Sequence, residues 1–292
     1  MRRRGCGAFA VAVALGATVG CGHAPPAGTV SVESTIVRAP GASSLLAPGT
    51  FLVVGEMHGS QEFPALIEDL AREALLRGPV TVHLELLAST EQPRIDALVA
   101  GRGSQEPPHD GMWVDPFQSG RSSAAMWKLL LDLGALARET GRLRIQAIDP
   151  GGDDARVRDR GMADAVVADV RARPGDVHIG LVGNVHSRLD HGLPWDDGMD
   201  PFARLVKASG VTVTALLGTY GGGAIWACST PKPESCGRMP VDGNADESGA
   251  TRSIHLTREP NHGGHGGVAY VGVLHESPPA TGRSPQVSAS AP

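Results

Sequence analysis

Short apolar runs alternate with amphipathic stretches through the middle of the chain. Thr50–Glu56 (TFLVVGE) is a nearly unbroken apolar run of β-forming residues, the pattern of a strand buried on both faces. Leu66, Ile67, Leu70, Ala74 and Leu75 then recur at helical spacing until Gly78-Pro79 stops the helix. Val80–Leu86 (VTVHLEL) reads as a second strand, with a short helix around Ile95–Ala100 after it. Residues 101–120 show no clear period. Ala124–Thr140 carries Met126, Leu129, Leu130, Leu133 and Leu136 along one helical side. A third strand over Leu143–Ile148, a helix over Ala155–Arg171 and a fourth strand over Val177–Val182 follow. Val211–Leu217 and Val268–Leu274 read as later strands, separated by a Gly-rich excursion. Repeated strand–helix units predict an α/β domain: a mostly parallel sheet flanked by helices. There is no internal repeat.

The polar residues fall where such a fold places chemistry, just beyond the carboxyl ends of the strands. The first strand runs into Gly55-Glu56-Met57-His58-Gly59, and the second ends at Glu85 with His83 two residues earlier on the same face. The third ends at Asp149 before Pro150-Gly151-Gly152, and the fourth runs into Gly183-Asn184-Val185-His186. Acids at strand ends often do no more than cap the next helix. Acids within otherwise apolar strands, however, need partners. Histidine moves protons near neutral pH, and a neighbouring carboxylate can fix its tautomer or share a divalent metal with it. The rim thus suits either a metal site formed by His58, Glu85 and His186 or metal-free activation of water. In the latter, an arginine such as Arg158 or Arg160 would hold the developing oxyanion. The loop Asn261–Gly267 adds His262 and His265, three residues apart, which form either a solvated connection or a further metal site.

The amino terminus assigns a compartment. Arg2, Arg3 and Arg4 precede an apolar run from Ala8 to Val19, then Gly20-Cys21. This reads as a bacterial lipoprotein signal over residues 1–20, cleaved before Cys21 with lipid added to that thiol. Thr18 stands where such signals usually have Leu. Ala, Pro, Gly and Ser dominate from His23 to Ala47, as in a tether, so residues 21–47 are expected to be flexible. The domain is placed at 48–275, and the composition of 276–292 predicts a disordered tail. Gly22 after the lipidated cysteine favours the outer membrane. Of four cysteines, Cys228 and Cys236 remain in the domain, and in an exported protein they are expected to form a disulfide.

Composition narrows the function without naming it. The 292 residues carry a formal charge of −5, and loss of the three amino-terminal arginines would leave the chain nearer −8. An acidic chain without a basic block is poorly suited to nucleic-acid phosphates. Gly and Pro number 39 and 22, about a fifth of the chain, below the level of about 25–30% typical of low-complexity disorder.

The motifs together resemble the superfamily that groups ChaN-like haem-binding uptake lipoproteins, TIKI/TraB proteins and erythromycin esterases. Gly55-Glu56-Met57-His58-Gly59, with Glu62 following, is similar to the ChaN opening, and one residue shorter than the esterase opening before the His. Leu84-Glu85-Leu86 with Gln92-Pro93 and Ile95-Asp96 resembles the ChaN segment after the second strand. Arg158-Asp159-Arg160-Gly161-Met162-Ala163 resembles the Arg-Asp-x-x-Met-Ala stretch of the group. Gly183-Asn184-Val185-His186, with Gly192-Leu193-Pro194, resembles the ChaN Gly-x-x-His block. The two Gly-x-x-His elements are also similar to those of TIKI/TraB proteins. The resemblance spans about Pro48 to Leu217, in order.

The resemblance implies His58, Glu85 and His186 as site residues, with Glu56, Glu62 and Arg158 beside them. It implies two functions. In one, an exported hydrolase activates water on an ester or amide, with His58 as base, Glu85 as its orienter or metal partner, and His186 as second ligand or proton donor. In the other, a ChaN-like lipoprotein binds haem or iron through His58 and His186 in uptake, without catalysis. The partner would be a small-molecule substrate or haem, with the membrane reached through the lipid, and a homodimer is left open. Against haem stands an aromatic content of 4%, with Tyr220 and Tyr270 as the two tyrosines.

Overall fold

The computed structural model describes residues 41–193, 195–244, 252–261 and 263–282. The signal, Cys21, most of the tether, Pro194, His262 and the chain beyond 282 lie outside the described residues.

A seven-stranded sheet forms the centre. Its strands are β1 (Thr50–Glu56), β2 (Val80–Ala88), β3 (Leu143–Asp149), β4 (Val177–Gly183), β5 (Thr212–Thr219), β8 (Ser253–Leu256) and β9 (Gly267–Tyr270). They lie in the order β3-β2-β4-β1-β5-β9-β8, all parallel except β8, which runs antiparallel to β9. Parallel neighbours need long crossovers, and helices provide them. These are α1 (Glu62–Leu75), α2 (Gln92–Val99), α3 (Ala124–Thr140), α4 (Ala155–Ala172) and α5 (Phe202–Ala208).

The period of two along β1 divides the core. Leu52 and Val54 pack with α1, α2 and α3 on one face, while Phe51 and Val53 pack with α4 and α5 on the other. Because helices cover both faces, the strand reads as an unbroken apolar run. Phe51, Leu52, Val53 and Val54 are all at most 1% exposed, each worth roughly 1.5–3 kcal/mol of burial. Chain leaving β1 and β2 enters the first layer of helices, and chain leaving β4, which lies between them, enters the second. Their carboxyl ends therefore open a crevice at the point where the connections diverge.

The α/β architecture and the single domain agree with the sequence pattern, and α3 has the expected bounds. Helix α5 has no counterpart in the pattern, because seven residues are too few to show a helical period. The Gly-rich excursion is a hairpin of β6 (Gly223–Cys228) and β7 (Cys236–Val241), closed by the Cys228–Cys236 disulfide between directly facing residues. Two boundaries also move. Ala42 and Leu46, placed in the tether, are buried in the core. Residues 276–282, placed in the tail, continue the fold: Ser277 N donates to Gly59 O at 2.8 Å and Thr281 Oγ1 to Trp113 O at 2.9 Å. Composition reads these stretches as linker, but buried side chains hold residues 42–46 and backbone hydrogen bonds hold 276–282.

Gly59 shows why the loop after β1 needs its glycine. Its φ of 76° is left-handed, and a Cβ there would lie 2.0 Å from Trp226 O. This close approach lets Trp226 N donate to Gly59 O at 2.9 Å, docking the hairpin over the end of β1.

Candidate active site

Five of the expected residues converge at the crevice. Glu56 ends β1, and its Oε1 lies 2.8 Å from Nδ1 of His58, two residues on. Glu85, on β2, is 1% exposed. Its Oε2 accepts from Gly183 N at 2.7 Å, and its Oε1 accepts from the Arg158 guanidinium at 2.6 Å. Arg158, in the first turns of α4, also donates from Nε to Asp149 Oδ1 at 2.9 Å. Its third nitrogen lies 3.3 Å from Nε2 of His186. His186 Nδ1 is 2.7 Å from Asp159 Oδ1, an ion-pair contact in which neither atom makes a hydrogen bond. Arg121, from the loop before α3, donates to the Glu85 carbonyl at 2.9 Å and pairs with Asp149.

Gly183 brings the two histidines together. A Cβ at this position would lie 3.2 Å from His58 Cε1, 3.3 Å from His58 Nε2 and 3.6 Å from His186 Cδ2. The absent side chain is therefore the space across which the rings face. Beside them opens a cavity of about 400 Å³, walled by Met57, Phe117, Ile225, Ala227 and Cys228, with Ser119 and Asn184 as polar groups.

Charge at the rim is set by these contacts. Burial disfavours the Glu85 carboxylate, but His186, His58 and Arg158 together with the Gly183 N–H outweigh it and hold the pKa near about 2. Burial also opposes ionisation of Asp149, yet hydrogen bonds from Arg158 and Arg121 lower its pKa. For Glu56, burial dominates and raises the pKa despite His58. Burial pulls His58 down, but the hydrogen bond and charge of Glu56, aided by Glu85, leave its pKa above the usual 6.5.

The donor set does not fit a divalent ion between His58, Glu85 and His186. The Arg158 guanidinium stands where such a cation would bind Glu85 and His186, and the other Glu85 oxygen is taken by a backbone N–H. The rim is a charge network organised around an arginine. Among the described residues, the group whose ligand atoms converge as a metal set is His83, Asp169 and His178. Accordingly His83, which the sequence places near the rim, turns out to be fully buried against His178 instead.

Glu62 also lies elsewhere. At the start of α1 it accepts from the backbone and ring of His275, at 3.1 and 2.8 Å. His265 is buried and contacts Ser187 Oγ at 2.9 Å, tying the Gly-rich loop to the segment after β4. Arg121 and Asp159 complete the site, and the sequence singled out neither as a site residue. Asp159 was visible in the Arg-Asp motif beside Arg158; Arg121 stands in an aperiodic loop that carries no signal.

No family model and no curated protein sequence matches the chain. Solved structures do. A mutant erythromycin esterase in its open conformation superposes with a TM-score of 0.55 at 14% identity, over 80% of this chain and 93% of that one. A bacterial protein toxin gives 0.43 at 22% identity over 62% of this chain, which spans 37% of the toxin's length. The haem-bound ChaN of Campylobacter jejuni gives 0.36 at 14% identity, over 62% and 85% of the two chains. The chain has the fold seen in the erythromycin esterase structure.

Proposed function

We propose that the chain is a hydrolase that activates water on an ester or amide without a metal at the rim. The observation that carries this reading is the Glu56–His58 pair at 2.8 Å, which leaves the Cε1–Nε2 edge of His58 facing the cavity across Gly183. Glu56 accepts from Nδ1 and so fixes the tautomer whose Nε2 lone pair can take a proton from water. That water attacks the carbonyl carbon, and the electron pair moves to the carbonyl oxygen; when the pair returns, the C–O or C–N bond breaks and the leaving alcohol or amine takes the proton from His58 Nε2. Arg158 supplies the positive pole for the developing oxyanion. Glu85 and Asp149 hold its guanidinium in place, and His186, braced by Asp159, orients it from the cavity side. The apolar wall suits a small, largely apolar group on the substrate.

The test is hydrolysis of a panel of aryl esters and anilides by the purified protein. His58→Ala should lower kcat/KM by about 10²–10⁴-fold while the fold is retained. Because neutral His58 is the base and its pKa is raised, the rate should climb with pH through a value above 6.5. Glu56→Gln should move that limb to lower pH. Unchanged rates in His58→Ala would end the proposal. The haem reading draws on the same partly exposed imidazole, whose Nε2 would be the axial donor beside the apolar wall. A Soret shift on haem titration, abolished in His58→Ala and accompanied by no hydrolysis, would replace the first reading with this one.

We also propose that Cys21 carries lipid and anchors the chain to the outer membrane. Incorporation of labelled palmitate that Cys21→Ser abolishes would support this, and a cleaved but unlipidated product would refute it.

A further inference from the structure

His83, His178 and Asp169 are brought together on the α4/α5 face of the sheet, from β2, β4 and α4. They are 0%, 0% and 7% exposed. His83 Nε2 lies 3.2 Å from His178 Nδ1, and Asp169 Oδ2 lies 3.8 and 3.7 Å from those two atoms. A triangle with these edges has its centre about 2.1 Å from every corner, which is the Zn–N and Zn–O bond length.

The proton count at the triangle is short. His178 Nε2 lies 3.0 Å from Arg173 O and donates to it, so its Nδ1 carries a lone pair in the neutral ring. His83 can place at most one proton on Nε2, and that proton can serve His178 Nδ1 or Asp169 Oδ2 but not both. Asp169 Oδ2 has no hydrogen-bond partner, nor has His83 Nδ1 on the far side of its ring. A buried acceptor left this way costs about 1–3 kcal/mol, and more when charged.

The surroundings are those of a ligand shell. Metal-bound histidines characteristically donate their other nitrogen to a carbonyl or carboxylate, as His178 does to Arg173 O. Gln146 lies beside His83, and its Oε1 has no partner either, so a proton moved to His83 Nδ1 would find an acceptor there. Arg173 binds Asp169 through Oδ1, leaving Oδ2 directed inward.

We propose that His83, His178 and Asp169 bind one zinc-type divalent ion that pins α4 to the sheet, separately from the catalytic rim. The ligands are His83 Nε2, His178 Nδ1 and Asp169 Oδ2, and a fourth position is left for water. The role is structural, since the ion is enclosed and lies on the strands well behind the cavity.

The full chain purified without chelator should contain about one zinc per molecule by elemental analysis. Refolding with cobalt(II) in place of zinc should give the visible bands of a four-coordinate site with nitrogen ligands. His83→Ala and Asp169→Asn should lose the metal, whereas His58→Ala and His186→Ala should keep it. Gln146→Leu, which changes no ligand, should weaken zinc about 10–100-fold. If His83→Ala does not fold, Asp169→Asn and the wild-type cobalt spectrum decide. Protein that takes up neither zinc nor cobalt on refolding would overturn the proposal. So would a metal that survives in Asp169→Asn or vanishes in His58→Ala.

Discussion

Two histidine clusters share β2 and β4 and differ in how their charges are answered. Glu85 and His83 stand two residues apart on β2, roughly 7 Å along the strand. At the rim, Glu85 and Asp149 each receive donors on both carboxylate oxygens from Arg158, Arg121 and backbone N–H groups. Behind it, Asp169 has Arg173 on one oxygen and no hydrogen-bond donor on the other. At the rim the arginines and backbone answer both of these carboxylates, while His186 Nδ1 and Asp159 Oδ1 stay without hydrogen-bond partners. The inner cluster has one lone pair too many, which suits a cation rather than a reaction.

The contrast is broken most forcefully by removing its cations. Arg158→Leu leaves two carboxylates, 1% and 3% exposed, without the guanidinium that bridges them. Loss of one partner of a buried pair costs about 3–5 kcal/mol, so the urea midpoint should fall steeply. Arg173→Leu removes one contact from one carboxylate, by a side chain that is 33% exposed. It should cost less, about 1–3 kcal/mol. Equal losses would mean that the rim is no more dependent on its arginine than the inner cluster is.

Acid titration sharpens the same contrast. Glu85 has its folded pKa lowered from 4.5 to about 2. Its ionised form thus stabilises the fold at any pH above about 4.5, and that contribution disappears as pH falls from there through about 2. The amount at stake is on the order of 3 kcal/mol. Glu85→Gln should be less stable at neutral pH and lose less stability across that window. Parallel losses in both proteins, measured by urea unfolding at pH 7 and pH 3, would assign the acid sensitivity to other groups.

Strands, their parallel pairing and the strand-end residues were legible because each depends on short-range pattern: apolar runs buried on both faces, and polar residues where those runs end. The two buried clusters were harder to separate. His83 and Glu85 share a face of β2, and sequence spacing gives no depth along a strand; only the partners from α4 decide that Glu85 meets Arg158 and His83 meets Asp169. Arg121 was invisible for another reason. It reaches the rim from a loop held by the hairpin, where Trp226 Nε1 donates to Gln118 O at 3.0 Å, a contact more than a hundred residues apart in the chain. The tether and tail boundaries failed because composition reports flexibility of an isolated segment and not the anchors it finds.

The smallest expected effect is the most selective. In Gly183→Ala the new methyl would sit 3.2–3.3 Å from the His58 ring, so the imidazole must move by a few tenths of an ångström. The hydrogen bond from residue 183 to Glu85 uses the backbone and survives. The backbone there is not left-handed, so alanine should stabilise slightly, by about 0.4–1 kcal/mol, through the unfolded chain. Small misplacements of a catalytic group nonetheless slow reactions strongly, and a loss of about tenfold in kcat is expected, with metal content unchanged. Stability and activity would then move in opposite directions at one residue. A fully active Gly183→Ala would show that the approach of His58 to His186 is packing alone, and the general-base assignment would have to leave His58.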